Sequence, residues 1–267
     1  MKTLLCIIRL KIKNTYQFRI ASLSGVITQL LWGMLQIILF KAFYEANPNA
    51  FPIEFNALVA YVWFQQAFFS MLGLWNWNYE IFQKIKNGNI AYDLTKPINL
   101  QFYWFSMDIG DRIGRTILKT PIIIVIALIL PEPFRLYLPE NSATFLAYII
   151  SITLGTILCS LLSTFIYVLT LFTIESDGLK LLYQSIGDFL IGNVIPLPFF
   201  PDILQPIIIA LPFASIANTP FLIYSGTIDG DKIAIFIGIQ CFWIIAIFII
   251  SKILEKLGAK NISIQGG

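Results

Sequence analysis

The chain contains no histidine and is poor in charge, with only 12% Asp, Glu, Lys and Arg. Without histidine the commonest general base and the commonest metal ligand are gone, and no Ser/His/Asp triad can form. Its cysteines, Cys6, Cys159 and Cys241, lie far apart in apolar stretches. They read as small buried hydrophobes, not as a disulfide framework or a zinc site. No Gly-x-x-x-x-Gly-Lys-Ser/Thr phosphate loop occurs, so the chain is not expected to hydrolyse ATP itself. A net charge of +3 over 267 residues is too small to describe a nucleic-acid surface. The start, Met1 to Lys13, is interrupted by Arg9 and Lys11 and offers no uninterrupted apolar core or cleavage site. A cleaved signal peptide is therefore not expected.

Apolar surface is what the chain has in excess. Hydrophobic residues make up 57% of it and the mean hydropathy is +0.77, against about 45–50% apolar and about 25% charged in soluble domains. A single soluble core at this length cannot hide so much, and runs close to the bilayer thickness make lipid the natural solvent. Six candidate spans follow, giving an all-α integral membrane fold: about Ile20–Phe43, Ala57–Tyr79, Ile113–Leu130, Thr144–Thr173, a fifth from near Leu182 that breaks up at Pro196, and Ile233–Leu254. With both termini cytoplasmic, the inside segments hold fifteen Lys and Arg: residues 2, 9, 11, 13, 19, 84, 86, 96, 112, 115, 119, 180, 252, 256 and 260. The outside holds three, Lys41, Arg135 and Lys232. That asymmetry is the positive-inside signature, and an odd number of spans would break it.

The loops differ in kind. The outer loops Ala46–Asn56 and Pro131–Asn141 are short connectors, whereas the inner loop 80–112 is long, mixed in charge and aromatic. Residues 192–230 are apolar yet carry prolines at 196, 198, 201, 206, 212 and 220. Prolines so dense forbid a continuous helix, and irregular backbone at membrane depth needs protein or a water-filled cavity around it. A re-entrant outer segment of short broken helices, between spans five and six, fits both constraints. Residues 1–19 read as an amphipathic interfacial helix, Leu4, Leu5, Ile8 and Ile12 facing one way and Arg9 and Lys13 the other, with Lys11 snorkelling.

A few polar side chains fall inside the spans. Gln29, Trp32 and Gln36 share a stripe of the first, and Gln65 and Gln66 sit near the middle of the second. Unpaired amides in hydrocarbon cost several kcal/mol, so these line a cavity or bond between helices. Asp188 is the acid within a span; it reads as a contact for a cationic substrate or as a solvated lip residue. Asn193 beside Gly192 is a candidate for an outer gate. Ser151, Gly155, Cys159 and Ser163 recur every four residues, a small-residue stripe suited to close helix packing. Asp108 and Asp111 beside Arg112 and Arg115 read as a charged helix start, not a metal site.

The order of features, a basic N-terminal helix, two spans, then Ile85-Lys86-Asn87-Gly88-Asn89-Ile90-Ala91-Tyr92-Asp93-Leu94-Thr95-Lys96-Pro97, resembles that of type-2 ABC exporter permeases, whose cytosolic loop carries an I-x-x-G-x-I-x-x-x-L-x-x-P stretch. The late block Ile195–Pro201, Leu211-Pro212-Phe213 and Pro220 is similar to that family's re-entrant segment. The likeness runs through essentially the whole chain. It is nearest to the branch in which two different permease chains accompany one kind of ATPase. It implies a permease subunit, not an enzyme, in a bacterial cell membrane, without a cofactor of its own; ATP and Mg belong to a partner ABC ATPase present in two copies. The second permease chain would be a different but related one. By the same resemblance Ile85, Gly88, Tyr92, Asp93, Leu94 and Pro97 form the element coupling to the ATPase. Gln29, Trp32, Gln36, Gln66, Asp188 and Asn193 line the cavity between the two permeases. Some members carry a large outer domain or a long acidic tail, which this sequence does not show.

The function expected is ATP-driven export of an amphipathic or hydrophobic solute: a drug, peptide or lipid-like molecule. The alternative is an ion-coupled secondary transporter, which would show buried carboxylate or histidine relays and inverted repeats. An integral membrane enzyme would need a polar catalytic cluster at one interface, and none is visible.

Overall fold

The computed structural model describes residues 2–17, 19–47, 51–139, 141–173 and 175–259. Lys260 and the tip of the first outer loop, named above, lie outside them. The described residues are helical, without strands. In chain order they form α1 (Lys2–Gln17), α2 (Arg19–Ala46), α3 (Phe55–Ala67), α4 (Phe69–Leu72), α5 (Tyr79–Lys86), α6 (Ile90–Leu94), α7 (Leu100–Ile129), α8 (Ser142–Thr173), α9 (Asp177–Leu190), α10 (Gln205–Ala210), α11 (Asn218–Tyr224) and α12 (Gly230–Gly258), with a 3-10 turn at Leu197–Phe199.

Among the described residues three helices are long and apolar enough to cross a membrane: Leu23–Ala46 in α2, Ser142–Thr173 in α8 and Gly230–Gly258 in α12. They differ in position. In α8 56% of the most apolar stretch is buried inside the protein, against 17% in α2 and 11% in α12. Thus α8 is the central post, packed against α7, α11 and α12, while α2 and α12 expose Leu31, Trp32, Leu35, Ile245 and Ile249 to their surroundings. The small-residue stripe of α8 is buried along its length and serves packing. Ser151 meets Gln240 of α12 at 3.0 Å, and a Cβ on Gly155 would sit 2.2 Å from the Ile216 carbonyl.

Four expected boundaries need correction. The second span does not continue as helix to Tyr79: it breaks at Phe68 and ends at Leu72, followed by the non-helical segment 73–78. The third begins at Leu100, well before Ile113, so the inner loop 80–112 is shorter than its polarity suggested. Asn99 starts that helix, its side chain accepting from the Phe102 N–H at 3.3 Å, as an N-cap does. The fifth starts at Asp177 and stops at Leu190, ahead of Pro196. Between 192 and 230 the broken short helices expected from the prolines are present as the 3-10 turn, α10 and α11.

The N-terminal helix is present, but α1 lies against the charged half of α7. Gly110 and Gly114 make room for it: Cβ atoms there would fall 3.1 Å from the Ile8 backbone and 3.2 Å from that of Ile12. Close approach of helices at small residues four apart is the membrane packing rule at work. Lys11 does not snorkel; it turns to Asp111, 3.7 Å away.

Candidate translocation and docking sites

The break at Phe68 and the end of α4 at Leu72 leave backbone carbonyls without helical partners, each costly where water does not reach. Side chains from neighbouring helices, and Asn76 of the following segment, satisfy them. Thr120 donates to Ala67 at 2.6 Å, Asn76 Nδ2 to Ser70 at 2.9 Å and the Cys159 thiol to Leu72 at 3.4 Å. Arg112 Nη1 reaches the carbonyls of both Met71 and Gly73 at 2.9 Å. The rest of the guanidinium is also engaged: Nε with Asp108 Oδ2 at 2.6 Å and Nη2 with Ser163 Oγ at 2.9 Å. Arg112 and Asp108 are both buried. What resembled a charged helix start is a clamp that holds the non-helical residues 73–78, with their turn at Leu74 and Trp75, against the helices. The lower end of this strap meets α8 where Tyr167 Oη accepts from the Asn78 N–H at 3.0 Å, and Asn78 in turn caps α5.

A line of polar side chains runs across α2, α3 and α9. Gln66 donates to Gln36 at 3.1 Å, joining α3 to α2. Its neighbour Gln65 donates to the carbonyl of Asn193. The Asn193 amide donates to Asp188 at 3.2 Å, and the other carboxylate oxygen accepts from the indole N–H of Trp75, in the strap. Gly192, at φ +87°, supplies the turn that brings Asn193 back over α9, and Tyr61 reaches its carbonyl at 3.4 Å.

On the strap's other side, α5 and α6 form the inner loop. Gly88, at φ +71°, turns the chain between them. Ile81, Phe82, Ile85 and Ile90 are buried, while Tyr92 is 74% and Leu94 41% exposed. Asp93 is buried and binds Lys84 at 3.3 Å and Lys96 at 2.5 Å. Burial pulls the Lys84 pKa down, yet the hydrogen bond to Glu80 and the fields of Asp93 and Glu80 outweigh it and leave it above the ordinary lysine value. Being raised, its share of stability persists below that value and fades only as the pH climbs past it.

A family model for the ABC-2 family transporter protein matches residues 30–266. The chain belongs to this family. No curated protein matches it. As an ABC-2 family member it is a multi-pass membrane permease subunit of an ABC transporter; such domains are the transmembrane subunits, not the ATPases, and work with an ABC ATPase.

The residues singled out in this ABC-2 chain are divided by the fold. Gln36 pairs with Gln66 and Asp188 with Asn193, the second pair reaching α3 through Gln65. Gln29 is half-buried and Trp32 exposed on the same helix, and among the described residues neither joins a side-chain hydrogen bond. Within the loop, Ile85 and Asp93 face inward and Tyr92, Leu94 and Pro97 outward. Sequence reasoning missed Trp75, Arg112 and the Gly110/Gly114 pair. A G-x-x-x-G spacing at 110–114 was the one signal available for the last.

Proposed function

We propose that this ABC-2 permease exports an amphipathic or hydrophobic solute, including lipophilic cations, across a bacterial cell membrane. Six spans place both termini in the cytoplasm: α2, α3–α4, α7, α8, α9 and α12. Residues 192–230 re-enter from the outer side, and α1 lies at the inner interface. ATP and Mg act on two copies of a partner ATPase, and a second, related permease chain closes the cavity. Tyr92, Leu94 and Pro97 are the surface that docks in the ATPase, turned by Gly88 and shaped from within by Ile85 and Asp93. Gln36, Gln66, Asp188 and Asn193 line the path, with Gln29 and Trp32 on the uncovered face of α2.

The observation that supports this reading best is the polar line itself. Amides and a carboxylate at membrane depth are costly unless they meet protein or water, and here they form two hydrogen-bonded groups, Gln36 with Gln66 and Gln65 with Asn193 and Asp188, beside the exposed faces of α2 and α9, where Ile186 and Phe189 await cover. The test is transport by the assembled complex in proteoliposomes. Asp188→Asn should lose uptake of a lipophilic cation such as ethidium and keep that of a neutral dye. Tyr92→Ala should insert normally but lose the ATPase on co-purification. Equal transport of both dyes by Asp188→Asn would remove Asp188 from the path, and full ATPase retention by Tyr92→Ala would remove Tyr92 from the docking surface.

A further inference from the structure

The strap and α5 run antiparallel to α9 and touch it at every level. At the foot of α9, Lys86 pairs with Glu175 at 2.7 Å. The ammonium of Lys180 lies over the rings of Phe82 and Tyr79, 4.9 and 5.2 Å from their centroids. Higher up, Tyr183 rests on Trp77 with ring centroids 5.4 Å apart. Higher still, Leu74 occupies the space beside Gly187, where an added Cβ would come within 2.2 Å of its Cδ1. At the top, Trp75 donates to Asp188. The pairing thus descends from 74 and 75 against 187 and 188, through 77 against 183, to 86 against 175.

The upper end of the same strap is pinned, because Arg112 holds the carbonyls of Met71 and Gly73 to α7 and, through Ser163, to α8. We propose that α5, the strap and α9 act as one lever turning about Gly73, in which Trp75 is the positioning residue that carries a displacement of α5 to Asp188. This rests on the reading of the inner loop as the ATPase-docking element. The physical reasons are three. A six-residue non-helical segment with one end clamped cannot absorb a push by sliding. Side-chain contacts at five levels, from Glu175 to Asp188, couple the two elements. Packed interfaces switch between discrete arrangements and do not deform gradually. A push on α5 therefore ends where the indole N–H meets the carboxylate, and withdrawal of Trp75 leaves Asp188 with Asn193 as its remaining partner. The carboxylate is capped in one arrangement and open to a cation in the other.

The experiment is hydrogen–deuterium exchange on the assembled complex in nanodiscs, with the ATPase free of nucleotide or trapped with ATP by a hydrolysis-blocking substitution. Wild-type permease and Trp75→Phe, which keeps the ring's bulk but loses the donor, are compared. In wild type, ATP trapping should change exchange in 79–94 and in 187–190 together. In Trp75→Phe the 187–190 amides should exchange about tenfold faster without nucleotide, the factor that corresponds to ~1.4 kcal/mol, and should no longer respond to ATP, while 79–94 still does. An ATP response confined to 79–94 in wild type, or a full response at 187–190 in Trp75→Phe, would overturn the lever while leaving docking intact. Absence of any effect of the ATPase on 79–94 would overturn the docking reading, and with it the lever, which would then have no input.

Discussion

Replacing Arg112 by Met removes one side chain and strands four groups. The guanidinium neutralises Asp108 and donates to Met71, Gly73 and Ser163, all from a site it fills almost without solvent contact. Removing one partner of a buried ion pair costs about 3–5 kcal/mol. The two backbone carbonyls lose their donors as well, at about 1–3 kcal/mol each. The sum reaches about 5 kcal/mol or more, within the range of an entire domain's stability of about 5–15 kcal/mol. Arg112→Met should therefore fail to give a monodisperse protein in mild detergent. Asp108→Asn keeps an acceptor for Nε but leaves the buried guanidinium charge uncompensated, so it should lose about 3–5 kcal/mol, less than Arg112→Met because the two carbonyls keep their donor. The double variant Asp108→Leu/Arg112→Met removes both charges, so it should recover at least ~2 kcal/mol relative to Arg112→Met alone, the non-additivity expected of a coupled pair. Size-exclusion profiles after a heating series rank the three. A melting point for Arg112→Met close to wild type, or a double variant no better than the single, would refute the clamp.

Two further outcomes follow from packing and charge. Gly114→Val pushes a side chain against Ile12 and Thr15 of α1, so residues 2–17 should lose protection from protease while the spans stay folded; unchanged protection would show that the α1–α7 contact does not depend on close approach. Asp93→Ala frees Lys84 and Lys96, both partly exposed and able to find water, so the cost should stay near 1–2 kcal/mol. It should appear as faster proteolysis of the inner loop, whereas Tyr92→Ala should leave that rate unchanged; equal rates for the two variants would erase the distinction between inward and outward loop residues.

What could be read in one dimension depended on whether a residue's partner was lipid or protein. The helices α2, α8 and α12 announce themselves because nearly every residue is apolar, a property each residue carries alone. The proline block announces broken helices for the same reason. The first half of α7 was hidden because Asp108, Asp111, Arg112 and Arg115 look like loop residues until their partners are known: a neighbouring turn, a lysine on α1, and the carbonyls of a span that stops early. The end of the second span was misplaced for the converse reason. Residues 73–78 include two tryptophans and a leucine that sustain an apolar pattern, while the partners that make their non-helical backbone tolerable, Arg112 and Tyr167, come from elsewhere in the chain. Within the inner loop, the motif marked the segment but not its faces, since burial of Asp93 beside exposed Tyr92 is decided by Lys84 and Lys96.

The seating of α1 on Gly110 and Gly114 has a consequence for how the protein is made. The helix is synthesised first, but the surface that receives it appears only after α2 to α6 have left the ribosome. At about 5–20 residues per second, several seconds separate the two events. During that interval Ile8 and Ile12, which end up against glycine, have no protein to cover them. The membrane surface must shelter them, so α1 arrives at its groove sideways from lipid and not from water. The seating of α1 is then a late step of biogenesis, timed by the arrival of α7.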